Sequence, residues 1–371
     1  MSQPKIQEYM NRQNLLIIAS ALVGATALGA CSSDENYSGP ADEDSGEIRF
    51  AAATESSRTN DITTNNLTSF NVYAYTGTPT ASNLFMDNVV VSKTSGNSWT
   101  YSPVKYWPAN ENVDFYAFAP ATWVGESGPL APVAYNAVEG TEDIVYAVAP
   151  DLRGAVGQPN AQVVFNFRHA LSKVTVKLSS SNENLKVRVS NVALSNIMTK
   201  GNFSFPQSST SEAPSSDNVG TWSDQNSPQT YVLHWSQRTD ELLDLTSTPT
   251  VIPAAGLGRG GTVFTLPQTL TYRSLGTGTD NYIGVMCVIY DAKTGTKLWP
   301  NENTPEENIV QGSTFGDGIL KFPLSTSKFS SWQPGCHYIY SLVINSNEEM
   351  GAIEFGTPTV DSFIEIETSY E

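Results

Sequence analysis

Residues 47–75 read EIRFAAATESSRTNDITTNNLTSFNVYAY. Two β-type runs flank a polar loop rich in Ser, Thr and Asn. In the first run Ile48, Phe50 and Ala52 alternate with Glu47, Arg49 and Ala51, the period of a strand with one face buried. In the second, Phe70, Val72 and Ala74 alternate with Asn71, Tyr73 and Tyr75. Arg58 lies near the middle of the loop, in a stretch from Thr54 to Asp61 with no apolar residue, so a trypsin-like protease has an exposed target there. A strand joined to its domain only through such a loop is removable. Its departure opens an unpaired edge and an apolar groove, normally a hazard, which an assembling protein can use as a socket for another subunit's strand. The plainer alternative is a β-hairpin with an incidental arginine.

Working outward, the chain begins with a targeting pattern rather than with fold. Lys5 and Arg12 form a basic region, followed by the apolar run LLIIASALVGATALGA at 15–30, too short and too rich in Ala and Gly for a membrane span. It ends at Leu28-Gly29-Ala30-Cys31, which resembles a bacterial lipobox. Residues 1–30 therefore read as a lipoprotein signal peptide, with the Cys31 thiol carrying the lipid; a secretory signal beside an accidental Cys is the alternative. Several acyl chains hold a protein far more firmly than one, at ~0.8 kcal/mol per buried CH2. Ser32-Ser33-Asp34-Glu35 resembles an acidic tag for the outer leaflet of the outer membrane, or is simply a flexible acidic tether. Residues 31–58 combine that tether with the removable first strand, as a propeptide.

The remaining chain of about 340 residues exceeds one average domain. Strand-like runs recur at 47–53, 67–75, 84–91, 98–101, 113–118, 143–148, 162–167, 171–178, 185–194, 231–235, 262–266, 281–290, 317–324 and 337–344, separated by Gly, Pro, Asn, Ser and Thr. Helical periodicity is all but absent, and the pattern is that of an all-β sandwich protein. Residues 207–227, QSSTSEAPSSDNVGTWSDQNS, read as a long surface loop. A domain break is expected within Phe167-Arg168-His169-Ala170-Leu171, giving 59–168 and 169–371 in a fixed arrangement.

A formal net charge of −17 argues against nucleic acid and anionic membrane surfaces as partners. Catalytic constellations are scarce. His169, His234 and His337 are too dispersed for an HExxH metal pair, and neither a GxSxG elbow nor a GxxxxGK[ST] loop occurs. His169 reads as a structural hydrogen-bonder at the domain junction, and His234 and His337 as surface or inter-strand residues. Neither an enzyme nor a cofactor is expected. Cys287, in the apolar run at 282–290, reads as a buried small hydrophobe, and a disulfide to Cys336 is left open. Trp99, Tyr101, Tyr106 and Trp107 crowd within nine residues; they suit either sugar stacking or core packing.

Taken together, these pieces resemble the fimbrillin-like pilin family of anaerobic Gram-negative bacteria, whose polymers are type V pili. The resemblance rests on the lipobox; on LTSFNVYAY at 67–75; on YWPAN at 106–110 leading into VDFYAFAP at 113–120; on DIVYA at 143–147; on VFNFRHALSKV at 164–174; and on WQPG at 332–335 with YIY at 338–340. It implies two tandem transthyretin-like Greek-key β-sandwich domains, export as a lipoprotein, and polymerisation triggered by a trypsin-like processing protease. The matching cleavage residue is Arg58, with Arg49 as alternative, although Arg49 lies inside the strand. The departing strand would be replaced by a neighbour's C-terminal strand, here 359–367 with Val360, Ile364 and Ile366 on one face; that tail is otherwise the last strand of its own domain. The implied partners are other pilin subunits, the outer membrane through the lipid anchor, and a glycan or host receptor in adhesion. The location would be the cell outer membrane and, after processing, the fimbrium. A monomeric glycan-binding surface lipoprotein is the alternative function.

Overall fold

Runs of Val, Ile, Phe, Tyr and Thr with period 2 suit a pleated, half-buried surface, and they form strands here almost throughout. The structure, a computed structural model, describes residues 47–54, 61–63, 66–94, 98–124, 128–154, 162–272, 280–326, 329–346, 353–354 and 359–362. The fold is all-β. In the N-terminal half the strands are β1 (Arg49–Thr54), β2 (Ser69–Thr76), β3 (Leu84–Lys93), β4 (Trp99–Tyr101), β5 (Val113–Ala119), β6 (Val133–Asn136), β7 (Val145–Leu152) and β8 (Gln162–His169). The C-terminal half contributes β9 (Ser172–Ser179), β10 (Leu185–Ser204), β11 (Thr221–Trp235), β12 (Leu243–Asp244), β13 (Thr250–Val251), β14 (Thr262–Thr265), β15 (Tyr282–Asp291) and β16 (Lys297–Trp299). It ends with β17 (Gly318–Pro323), β18 (Cys336–Val343), β19 (Asn345–Ser346), β20 (Ile353–Glu354) and β21 (Thr359–Ser362).

The first half has the strand order β1-β8-β7-β5-β2-β3-β4. The β7–β8 ladder is short, Val145↔His169 and Tyr146↔Arg168. Val163, Phe165 and Phe167 of β8, with Phe50 of β1, share one core with Phe70, Val72, Phe115 and Ala147 of the facing strands. In the second half β11, β10, β15 and β16 form one sheet, with β17 added on β15. The other sheet is built on a parallel β9–β18 pair, with β13 and β14 on β9 and β21 on β18. Val176, Val189, Val285, Leu320 and Tyr340 lie in the core associated with these sheets.

A third core is drawn from both halves. Tyr73 and Tyr75 of β2, Tyr116 and Phe118 of β5 and Tyr146 of β7 pack with Phe203, Phe205, Phe264 and Leu266. The strands that read as half-buried are therefore buried on both faces, with phenylalanine, aliphatic and small residues on one side and mainly tyrosines on the other. β6 also crosses over: it pairs with β10 from Lys200↔Asn136 to Phe203↔Val133.

The reading of 207–227 as a surface loop is corrected. Residues 221–227 belong to β11, which pairs with β10 from Ser204↔Thr221 to Asn191↔Trp235. Low apolar content hid a strand whose ladder is backbone hydrogen bonding and whose anchor is Trp222, packed edge-on 5.3 Å from Phe203. The preceding stretch docks on the first half. Thr210 and Asn218 are buried, the Thr210 Oγ1 hydroxyl donates to the Val148 carbonyl, and Arg168 donates to the Asn218 carbonyl at 2.6 Å.

Candidate functional site

The first strand and its seat form the candidate site. β1 does not pair with β2 as a hairpin. It lies parallel to β8, in register from Arg49↔Gln162 to Thr54↔Phe167, and it ends the strand order of its sheet. At its start Glu47 bridges Tyr106, and the Ile48 amide donates to the Lys105 carbonyl at 2.9 Å. Alternation does the rest: Ile48 and Phe50 are 0% and 2% exposed while Arg49 between them is exposed. The Phe50 ring is surrounded by Tyr101 at 5.2 Å, Phe165 at 5.6 Å, Phe115 at 6.0 Å and Phe70 at 6.3 Å. Burying Ile48 and Phe50 contributes ~1.5–3 kcal/mol each, and the ring contacts add ~0.5–1.5 kcal/mol per pair.

Two side chains grip the strand's backbone. The Tyr101 hydroxyl donates to the Ile48 carbonyl at 2.8 Å, and the Gln162 amide donates to the Phe50 carbonyl at 3.0 Å. Burial raises the Tyr101 pKa above its ordinary value, so the phenol stays a donor. The aromatic crowd at 99–107 is thus largely packing rather than a sugar platform. Trp99 lies 4.9 Å from Phe70 and Trp107 5.8 Å from Phe115, while Tyr106 stays exposed. The role of Tyr101 as a clamp on β1 had no sequence signal beyond its aromatic character.

The chain beyond the polar loop is tied down by buried charge. Asp61 and Lys173, both nearly inaccessible, form an ion pair at 2.8 Å. The Ile62 amide donates to Asp143 Oδ2 at 2.9 Å, and the same oxygen meets His169 Nδ1 at 2.8 Å. Burial raises the Asp61 pKa, and Lys173 opposes that rise. This network joins the residues after the loop to β8 and β9. His169 is the junction hydrogen-bonder expected of it; Asp61, Asp143 and Lys173 were not singled out, because their partners lie far along the chain.

Of the sequence-derived site residues, Arg49 is the first residue of β1. Cys31, Arg58, Ile364 and Ile366 lie outside the described residues, as do residues 1–30, read above as a signal peptide, and 31–46, read as a tether. Val360 falls in β21, whose backbone pairs antiparallel with β18 from Cys336↔Ser362 to Ile339↔Thr359. In this single chain, then, 359–362 pair with the chain's own second half.

His234 is buried, not at the surface, with Nδ1 3.0 Å from the Pro253 carbonyl. His337 bridges strands through Thr175 Oγ1 at 2.8 Å. Cys287 and Cys336 are both free thiols, and burial pushes both pKa values up. Among the described residues no group of three His, Cys, Asp or Glu is placed to hold a metal ion.

The fimbrillin-like family model matches residues 53–361, most of the chain. The chain belongs to the fimbrillin-like family. As a member of that family it is a fimbrial or adhesion subunit of the cell surface, and the family is structural rather than enzymatic. No curated protein matches the chain. Among solved structures, it is similar to a candidate cell adhesion protein of Bacteroides uniformis, with 14% identity and a TM-score of 0.48 over 86% of this chain and 99% of that one. It is similar also to the fimbrial anchor protein Mfa2 of Porphyromonas gingivalis, with 11% identity and a TM-score of 0.33 over 85% and 97%. The tip fimbrial protein Mfa3 of the same organism aligns at 12% identity and a TM-score of 0.36 over 79% and 93%.

Proposed function

We propose that this fimbrillin-like chain is a pilus subunit exported as a lipoprotein through Cys31 and polymerised by protease-triggered strand exchange. A trypsin-like protease cuts after Arg58, β1 leaves, and the C-terminal strand of another subunit, carrying Val360, Ile364 and Ile366, enters the seat along β8. The two halves, 59–168 and 169–371, act as tandem β-sandwiches. The polymer serves surface adhesion, with a glycan or host receptor as its target.

The observation that supports this reading is the way β1 is held. It is an edge strand with one continuous ladder and two buried anchors, Ile48 and Phe50. The chain between its last residue and Asp61 carries Arg58. While the loop is intact, tethering keeps β1 at high effective concentration in its seat. A cut removes that advantage, and a longer entering strand with three aliphatic anchors competes on even terms. The Asp61–Lys173 pair keeps the downstream side of the cut in place.

The test is to treat purified Arg58→Ala and Arg49→Ala proteins with such a protease and examine unboiled gels for ladders. Arg58→Ala stays monomeric and folded, whereas Arg49→Ala polymerises at the wild-type rate. Ladders from Arg58→Ala at that rate would rule out Arg58 as the switch, and loss in Arg49→Ala alone would move the assignment there. Absence of polymer from the cut wild-type protein favours the monomeric glycan-binding alternative.

A further inference from the structure

We infer that a cleft on the second half, between the outer face of the β10–β15 sheet and the loop 310–317, is a binding site for a neutral sugar ring. The cleft has a volume of about 520 Å³, within the ~300–1,000 Å³ range of ligand sites. Its floor follows from register. Asn191 of β10 stands opposite Trp235 on β11 and opposite Met286 on β15, so these three side chains share one face. A β-bulge lies between Val189 and Asn191. Val189 and Val192 on either side are both core residues, so the bulge places Ser190 and Asn191 together outside the core. Bulges re-aim side chains in this way beside functional sites.

Two buried polar atoms around this cleft lack partners. Trp235 Nε1 and Asp317 Oδ1 are buried without a hydrogen bond among the described residues. Asn191, 6% exposed, lines the same cleft. Buried polar groups are almost always partnered, and each one left unmade is costly; two at a single cleft point to a ligand that satisfies them.

The covering loop is wired so as to keep Asp317 in place. The Ser313 hydroxyl donates to Asp317 Oδ2 at 2.5 Å and accepts from the amides of Phe315 and Asp317, each at 3.2 Å. One carboxylate oxygen is thereby committed and the other is left. Gln311, Gly312 and Thr314 are exposed, and a Cβ at Gly312 would meet nothing within 4 Å, so the outer side of the loop faces open space.

The donor and acceptor set defines the ligand. Asp317 Oδ1 needs an O–H or N–H donor, Trp235 Nε1 needs an acceptor, and Asn191 supplies one of each. Adjacent hydroxyls on a saturated ring meet all three, while the ring's C–H face lies against Met286, Phe315 and the indole. The Asp317 carboxylate opposes an anionic sugar. The inference does not depend on polymerisation, since the uncut monomer carries the whole cleft.

The experiment is saturation-transfer NMR and calorimetric titration of the intact protein with methyl glycosides of glucose, galactose, mannose, fucose and N-acetylglucosamine, with a sialoside as the charged control. At least one neutral glycoside binds saturably, the sialoside does not compete, and Asp317→Asn and Trp235→Phe each weaken binding by about tenfold, or ~1.4 kcal/mol. Thr314→Trp, on the exposed loop, blocks the mouth without touching the core, and decides the matter if the other two variants fail to fold. Absence of saturable binding by every neutral glycoside, binding of the sialoside alone, or affinity unchanged by the folded variants would overturn the site.

Discussion

His337 shows how much one residue's setting departs from its sequence context. It sits on β18 between strands, and burial, with Lys173 and Lys177 nearby, lowers its pKa from 6.5 to about 4. The unfolded chain takes up a proton near pH 6.5 that the folded chain refuses until about pH 4. The stability from keeping His337 neutral is therefore complete above pH 6.5 and is lost as pH falls toward 4. At ~1.4 kcal/mol per pH unit it amounts to about 3 kcal/mol at most. Asp61, whose pKa is raised chiefly by burial, works in the opposite sense, binding its proton more readily folded than unfolded. The comparison of two proteins isolates His337: His337→Gln has a urea midpoint that falls less between pH 7 and pH 4.5 than the wild-type midpoint does. Parallel acid titrations of the two proteins would remove His337 from the account. Neither the burial of His337 nor the Asp61–Lys173 pairing was legible in the sequence, because the pair joins residues more than a hundred positions apart and a single strand does not announce how deeply it is buried.

At the scale of elements the sequence was more readable. Alternation located nearly every long strand, since side-chain period is a local property. Pairing is not local. The parallel match of β1 to β8 spans more than a hundred residues, and no turn chemistry between them encodes it. The polar part of β11 was missed for a related reason: its ladder to β10 is made by backbone groups, which any side chain allows. Of the candidate exchange site, the two anchors of β1 were legible from their alternation, whereas the Tyr101 and Gln162 grips on its carbonyls were not. The tail carries the element-scale prediction. β21 pairs with β18 over four residues at the edge of its sheet, so the second half loses little if it detaches. If the tail is a donor, Ile364→Asp leaves the monomer's melting temperature close to wild type and abolishes polymer after protease treatment, because a carboxylate is strongly disfavoured in an apolar slot. An unfolded monomer would show instead that the tail belongs to its own half.

At the scale of the whole molecule, the expected break between β8 and β9 meets a structure that is knitted across it. Only Ala170 and Leu171 separate these strands, and both lie in the third core. β6, from the first half of the chain, extends the β10 strand of the second. The Trp123 and Tyr146 rings stand 5.0 Å and 4.9 Å from Phe203, and Gly220, whose amide donates to the Tyr146 hydroxyl at 2.8 Å, could not carry a Cβ without meeting the Phe203 ring. Cut between β8 and β9, the first half would expose Tyr73, Tyr75, Tyr116, Phe118 and Tyr146 together. At ~1.5–3 kcal/mol for each large side chain, losing their cover costs as much as the ~5–15 kcal/mol that stabilises a typical domain. A chain ending at His169 is therefore expected to aggregate or to bind hydrophobic dye without a cooperative melt, while the intact protein unfolds in one calorimetric transition. Size-exclusion chromatography and thermal melts of the two proteins decide it. A monomeric fragment melting sharply near the temperature of the intact chain would mean that the aromatic layer between the halves contributes little, and that the two sandwiches are independent units joined by a short linker.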